Sequence, residues 1–296
     1  MAELLALTAA LLYSSSNISA KRGTETGHLG SGSLLGLATG TAGVGVLAAI
    51  SVTSWALPLE SAVLFALGGV AGAGVGRVLS MRSARDVGTS VSIPVIASVN
   101  PALTCLAGVL LFAERIGPAQ LLALAVILAG VWLCARGGSA NRQPSSARAP
   151  WRHPLLGLAV AAAAGAAFSA SDVLRKTAMS QSVDPVLGAL IGMVAALVLW
   201  SAIHLLLPSQ RQPFQLRTAS ARWFGLSGLL GAHAQVFIIM ALDRGDLSVV
   251  SPIMAAQPVL AVLLAGIFLR RIEQLRAGTV MGAVAVFVGV AALALT

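Results

Sequence analysis

Apolar residues along this chain come in long blocks, with no strand-like alternation. Runs of Ala, Val, Leu and Gly continue for about twenty positions, break at short polar or prolyl stretches, and resume. A helix of that length spans the roughly 30 Å hydrocarbon layer of a bilayer. The blocks predict ten helices, at roughly 3–20, 31–54, 60–82, 88–112, 117–136, 154–176, 184–207, 222–241, 246–269 and 274–295. The longest polar connector, "RGGSANRQPSSARAPWRH" at 136–153, has the Gly, Ser, Pro and Arg content of a linker. It separates a first five-helix repeat (1–136) from a second (154–296), with the linker proper at 137–153. The first block lacks a basic start and an obvious cleavage site, so it reads as a retained helix.

The two halves match each other. "PALTCLAGVLLFAERIGPAQLLALAVILAGVWL" (101–133) aligns with "PVLAVLLAGIFLRRIEQLRAGTVMGAVAVFVGVAAL" (258–293), pairing Pro101 with Pro258, Gly108 with Gly266 and Glu114 with Glu273. Near the start of each half, "SSSNISAK" (14–21) aligns with "SASDVLRK" (169–176), which pairs the chain's two lysines, Lys21 and Lys176. Five crossings per repeat would insert the second repeat upside down. The fold expected is an all-α membrane protein of ten transmembrane helices in two inverted repeats, a common plan for secondary transporters.

Composition supports the membrane reading. The chain is 57% hydrophobic and 10% charged, with a mean hydropathy of +0.90, whereas soluble domains carry about 25% charged residues. The net charge of +9 lies mostly on arginines between the apolar blocks, without the interleaved aromatics of a nucleic-acid surface. With the N-terminus outside, inner loops would hold fourteen basic residues and outer loops four. The positive-inside rule therefore predicts external termini and a cytoplasmic linker. Cys105 and Cys134 both lie within apolar blocks, which argues against a disulfide or zinc site. There is no HExxH, GxSxG or phosphate-cradling loop with a lysine. No enzyme activity, cofactor or resident metal is expected, and ATP-driven pumping is disfavoured.

Candidate chemistry lies in the polar residues within the blocks. Glycines recur every fourth position at 32, 36 and 40, at 68, 72 and 76, and at 188 and 192, a spacing that brings membrane helices into backbone contact. Pro94 and Pro101 interrupt the fourth block, and Pro252 and Pro258 the ninth; each removes a helical hydrogen bond. Asn100 and Gln257 directly precede two of these prolines. They read either as cavity-lining amides or as helix–helix hydrogen bonders. Asp172 precedes Lys176 by four residues on one helix face, in the favourable order. The pair reads either as an interfacial ion pair or as a polar face on a cavity. In the cavity reading Asp172 is an ammonium or proton site, and Asn17 is its uncharged repeat mate. Asn17 and Asp172 would then face the interface between the halves, with Lys21 and Lys176 nearer opposite mouths. Arg77 is a candidate counter-ion or anion contact, and His233 a candidate pathway residue. His204 reads as interfacial. Glu114 and Glu273 sit in turns and suit capping roles.

The ten blocks, the repeat, "NPALTCLAGVLLFAERIGPAQLLALAVILAGVWL", "LDRGDLSVVSPIMAAQPVLAVLLAGIFL" and the first-block "SNISAK" together resemble the EamA family of drug/metabolite transporters. The second turn departs from the pattern with two arginines before Glu273. The resemblance implies a multi-pass carrier of the bacterial inner membrane, often an exporter of amino acids, metabolites or toxic compounds. It also implies a central cavity lined by spans one, three, four, six, eight and nine, and an N-in orientation opposite to the charge count. The partners expected are a small-molecule substrate and membrane lipid, with no nucleic acid, the protein acting as monomer or homodimer. A divalent-cation carrier and a membrane scaffold or enzyme without transport are the alternatives.

Overall fold

Backbone amides cannot hydrogen-bond to hydrocarbon, so each apolar block must satisfy its own N–H and C=O groups. In the computed structural model every regular element among the described residues is helical; those residues are 1–26, 29–87, 89–139, 154–206, 218–257, 259–260, 264 and 277–294. Pro258, Glu273 and most of the linker lie outside them. The helices are α1 (Ala2–Thr26), α2 (Leu29–Ser51), α3 (Leu59–Gly69), α4 (Arg77–Asp86), α5 (Thr89–Phe112), α6 (Pro118–Ser139), α7 (Pro154–Met179), α8 (Pro185–Leu206), α9 (Thr218–Arg244), α10 (Leu247–Met254) and α11 (Ala277–Ala294). A π-helical stretch, Val70–Gly76, joins α3 to α4.

Six of the described helical segments are long and apolar enough to cross a membrane: Gly32–Ser51, Leu59–Ala84, Val91–Phe112, Leu155–Met179, Pro185–Leu206 and Ala219–Arg244. Pro118–Leu133 is a shorter apolar helix. Large apolar side chains such as Leu110, Leu122, Val198 and Val288 point outward, as a lipid-facing surface requires. The protein is therefore a multi-pass membrane protein.

Local sequence sets the helix ends. Pro185 opens α8 where its missing N–H costs nothing, and the Asp184 carboxylate accepts the Val186 amide at 2.8 Å. At the end of α5, Ala113 takes a left-handed φ of 54° and the Glu114 amide donates back to the Gly108 carbonyl, a stop built on one left-handed residue just past the helix. Helix α10 ends at Met254 and a turn follows at Ala255 and Ala256; most of 258–269, the rest of the ninth predicted block, lies outside the described residues. Pro252 lies inside α10 and cannot donate to the Ser248 carbonyl; the Cys105 thiol approaches that oxygen at 3.8 Å instead.

The chain packs as two compact units. Unit 1 comprises Met1–Gly74 and Ser171–Gly245; unit 2 comprises Val75–Ala170 and Asp246–Thr296. In unit 1, α9 packs along α1 and α2, and α8 packs on α2 and α3. Glycines make these approaches possible. A Cβ on Gly69 would collide with the Gly192 backbone, and one on Gly228 with the Gly36 backbone. Phe65 fills the notch left by Gly188. Hydroxyls tie α1 to α9, with Ser16 donating to the Ser227 carbonyl at 2.7 Å and Ser220 to the Gly23 carbonyl at 3.0 Å. In unit 2, α11 packs on α6 through Gly130 and Gly289.

Candidate functional site

The polar interior of unit 1 is built around the π-helical stretch. A π turn breaks the regular i to i−4 ladder, and such turns often sit at functional sites. Side chains from neighbouring helices cover carbonyls in this stretch and in the last turn of α3 leading into it. Ser171 Oγ donates to the Gly68 carbonyl at 2.7 Å, and Trp200 Nε1 to the Ala73 carbonyl at 2.9 Å. Gly72 is required here, because a Cβ would lie 2.7 Å from Ser171 Oγ.

One turn along α7 from Ser171 lies Arg175, at the end of the sixth predicted block and one of the four basic residues counted above for the outer loops. Arg175 is buried, at 7% exposure. Its side chain runs beside the π stretch, near Gly68 and Gly72. Its guanidinium pairs with the Asp172 carboxylate at 3.7 Å, three residues earlier on the same helix. The partner of Asp172 is therefore Arg175, where the sequence pattern favoured Lys176 at i+4 or Arg77. Lys176 is engaged elsewhere. Its ammonium donates to the carbonyls of Leu242 and Gly245 at 2.6 and 2.7 Å, closing the C-terminus of α9.

Arg175 also lines a small cavity of about 10 Å³, room for about one water. Its other walls include Gly69 at the end of α3, Ala73 from the π stretch, Gly192 and Met193 from α8, and Gln235 from α9. Gln235 Oε1 is buried and accepts no hydrogen bond. The elements involved correspond to the third, sixth, seventh and eighth predicted blocks.

The remaining predicted residues divide between the units. In unit 1, Asn17 and Lys21 are exposed on α1, and half-buried His233 holds its Nδ1 2.8 Å from the Leu229 carbonyl. The cavity is lined by Gln235 and not by His233. Both ring nitrogens of His204, at the end of α8, are buried without hydrogen-bond partners. In unit 2, Arg77 is exposed at the start of α4, Gln257 is half-buried, and Pro94, Pro101 and Pro252 are buried. Half-buried Asn100 lies beside Thr104, whose hydroxyl is 2.8 Å from the Asn100 carbonyl and 3.0 Å from Ser169 Oγ.

Glu114 is also in unit 2. Its two carboxylate oxygens accept the amides of Leu247 and Ser248, at 2.8 and 2.9 Å, and so cap α10. A Cβ on Gly108 would strike this carboxylate. The Gly108–Glu114 spacing is thus a packing and capping device. Sequence reasoning anticipated a cap but could not say which helix it served.

No curated protein matches the chain. A solved structure titled only "Crystal structure of protein" superposes with a TM-score of 0.78, covering 99% of this chain and 98% of that one at 20% identity, a likeness of fold. A model of the EamA-like transporter family matches residues 1–136 and 155–295. Together with the apolar spans and the charged pair held inside one of them, these matches place the chain as a member of the EamA-like transporter family.

Proposed function

We propose that the protein is a secondary active transporter that exports small metabolites, amino acids or drug-like compounds across the bacterial inner membrane by alternating access. Ten spans in two inverted five-helix repeats, cut at 137–153, would supply the two related halves such a cycle needs. Both termini lie outside in this reading, following the fourteen-to-four distribution of basic residues. The single observation that carries the proposal is the Asp172–Arg175 pair inside the Leu155–Met179 span. Charged groups at membrane depth are costly to insert, and they typically mark substrate or ion pathways. Burial alone does not call for this pair, because apolar residues of similar volume commonly pack as well or better. Asp172 is the proposed site for a proton or a cationic group, and Asn17, Lys21, Arg77, Asn100 and Gln257 are proposed pathway residues. The test compares export of a metabolite panel from cells with and without the gene, followed by flux in reconstituted vesicles. Equal export of every compound, with no flux in vesicles, would overturn the proposal.

A further inference from the structure

We infer that the cavity beside Arg175 is a carboxylate-recognition subsite, in which a substrate carboxylate displaces Asp172 from the guanidinium. The inference rests on the transport reading and adds a substrate class to it. A guanidinium offers five N–H donors in a planar fork suited to bidentate pairing with a carboxylate. Arg175 is almost wholly buried, yet its recorded partner is one carboxylate oxygen at 3.7 Å, longer than a charge-assisted hydrogen bond. The same side chain lines the cavity. Across that cavity lies Gln235, whose amide oxygen is buried and unpartnered. Its own Nε2 donors can turn toward an entering anion, because amide orientation follows the hydrogen-bond network.

The volume is about that of one small polar body, enough to admit a single carboxylate oxygen. The surrounding Gly69, Gly192 and Ala73 keep side-chain bulk out of this space. Asp172 is the more open member of the pair, with 17% side-chain exposure against 8% for Arg175. It is the member free to leave when a competing carboxylate arrives. A ligand carboxylate at Arg175 would then release the Asp172 carboxylate for a proton or a cationic group, coupling two recognition events on one helix.

The test uses the full-length protein in lipid nanodiscs, with intrinsic-tryptophan thermal unfolding as readout. Propionate, propionamide and propylammonium are added at constant chloride and ionic strength. Propionate should raise the unfolding temperature in a saturable manner, and the other two should not. Gln235→Leu and Arg175→Lys should each weaken the propionate midpoint by about tenfold or more, since a bidentate or buried polar partner is lost. Asp172→Asn should shift the midpoint the other way, tightening it several-fold, because the resident competitor is removed while its shape is kept. That gain is not expected of a merely structural pair, and it stands even if Arg175→Lys fails to fold. Equal response to propionate and propionamide would overturn the subsite, as would weakened propionate binding in Asp172→Asn. Flux in vesicles separates the two readings. Propionate binding without flux of any compound removes the transport reading and leaves the subsite. Flux without carboxylate preference does the reverse.

Discussion

At the residue scale, the proposed chemistry rests on Asp172 and Arg175, and their separate removal should have different signatures. Asp172→Asn is expected to express and fold, since it keeps the shape of the side chain. It should lower transport in reconstituted vesicles several-fold or change its pH dependence, because the titrating group is gone. Unaltered flux at several pH values would reduce Asp172 to a structural partner of Arg175. The sequence drew attention to Asp172 and Lys176 because charged residues stand out in an apolar block. It misjudged Arg175 for a physical reason. Spacing reports which face of a helix a residue occupies, but not how deeply the helix end is buried. Helix α7 runs to Met179, three residues past the end expected from hydropathy, and Arg175 is buried there. Nor could local sequence show that Lys176 would be satisfied by carbonyls 66 and 69 residues away.

At the element scale, most of the described helices were legible to within a few residues, although α1 runs six residues past its predicted end, while the contacts among them were not. Four-residue glycine spacing announced close packing, but the meeting of Gly69 with Gly192 had to come from the fold. The π turn had no signature beyond a glycine-rich stretch. Gly69→Ala should lower the thermal stability of the purified protein by about 1–3 kcal/mol, as overpacking against backbone cannot relax through a side chain. Gly117→Ala is the matched control, since nothing lies within 4 Å of its added Cβ. An unchanged unfolding temperature in Gly69→Ala would contradict the close approach of α3 and α8. Glu114→Ala removes both acceptors that cap α10 and should cost about 1–2 kcal/mol. It should nevertheless insert and transport nearly normally, and loss of flux at normal expression would give Glu114 a role beyond capping.

At the scale of the whole molecule, charge distribution predicts orientation. A reporter fused to the C-terminus should be active only when placed outside the cytoplasm. Activity of a cytoplasm-restricted reporter at that position would reverse the assignment. The linker divides the sequence at one place, whereas packing draws each compact unit from both sides of it. This interleaving is invisible to hydropathy, because apolar blocks name no partners. It bears on how the protein is made. Helix α1 leaves the ribosome with its hydroxyls and Gly23 exposed, and its packing partner α9 begins only at Thr218. At ordinary rates of synthesis that interval is on the order of ten seconds or more. Throughout it, the groove that α9 will fill must be held by lipid or by the insertion machinery. Nascent chains halted before α9 should therefore be the ones most readily captured by membrane quality control.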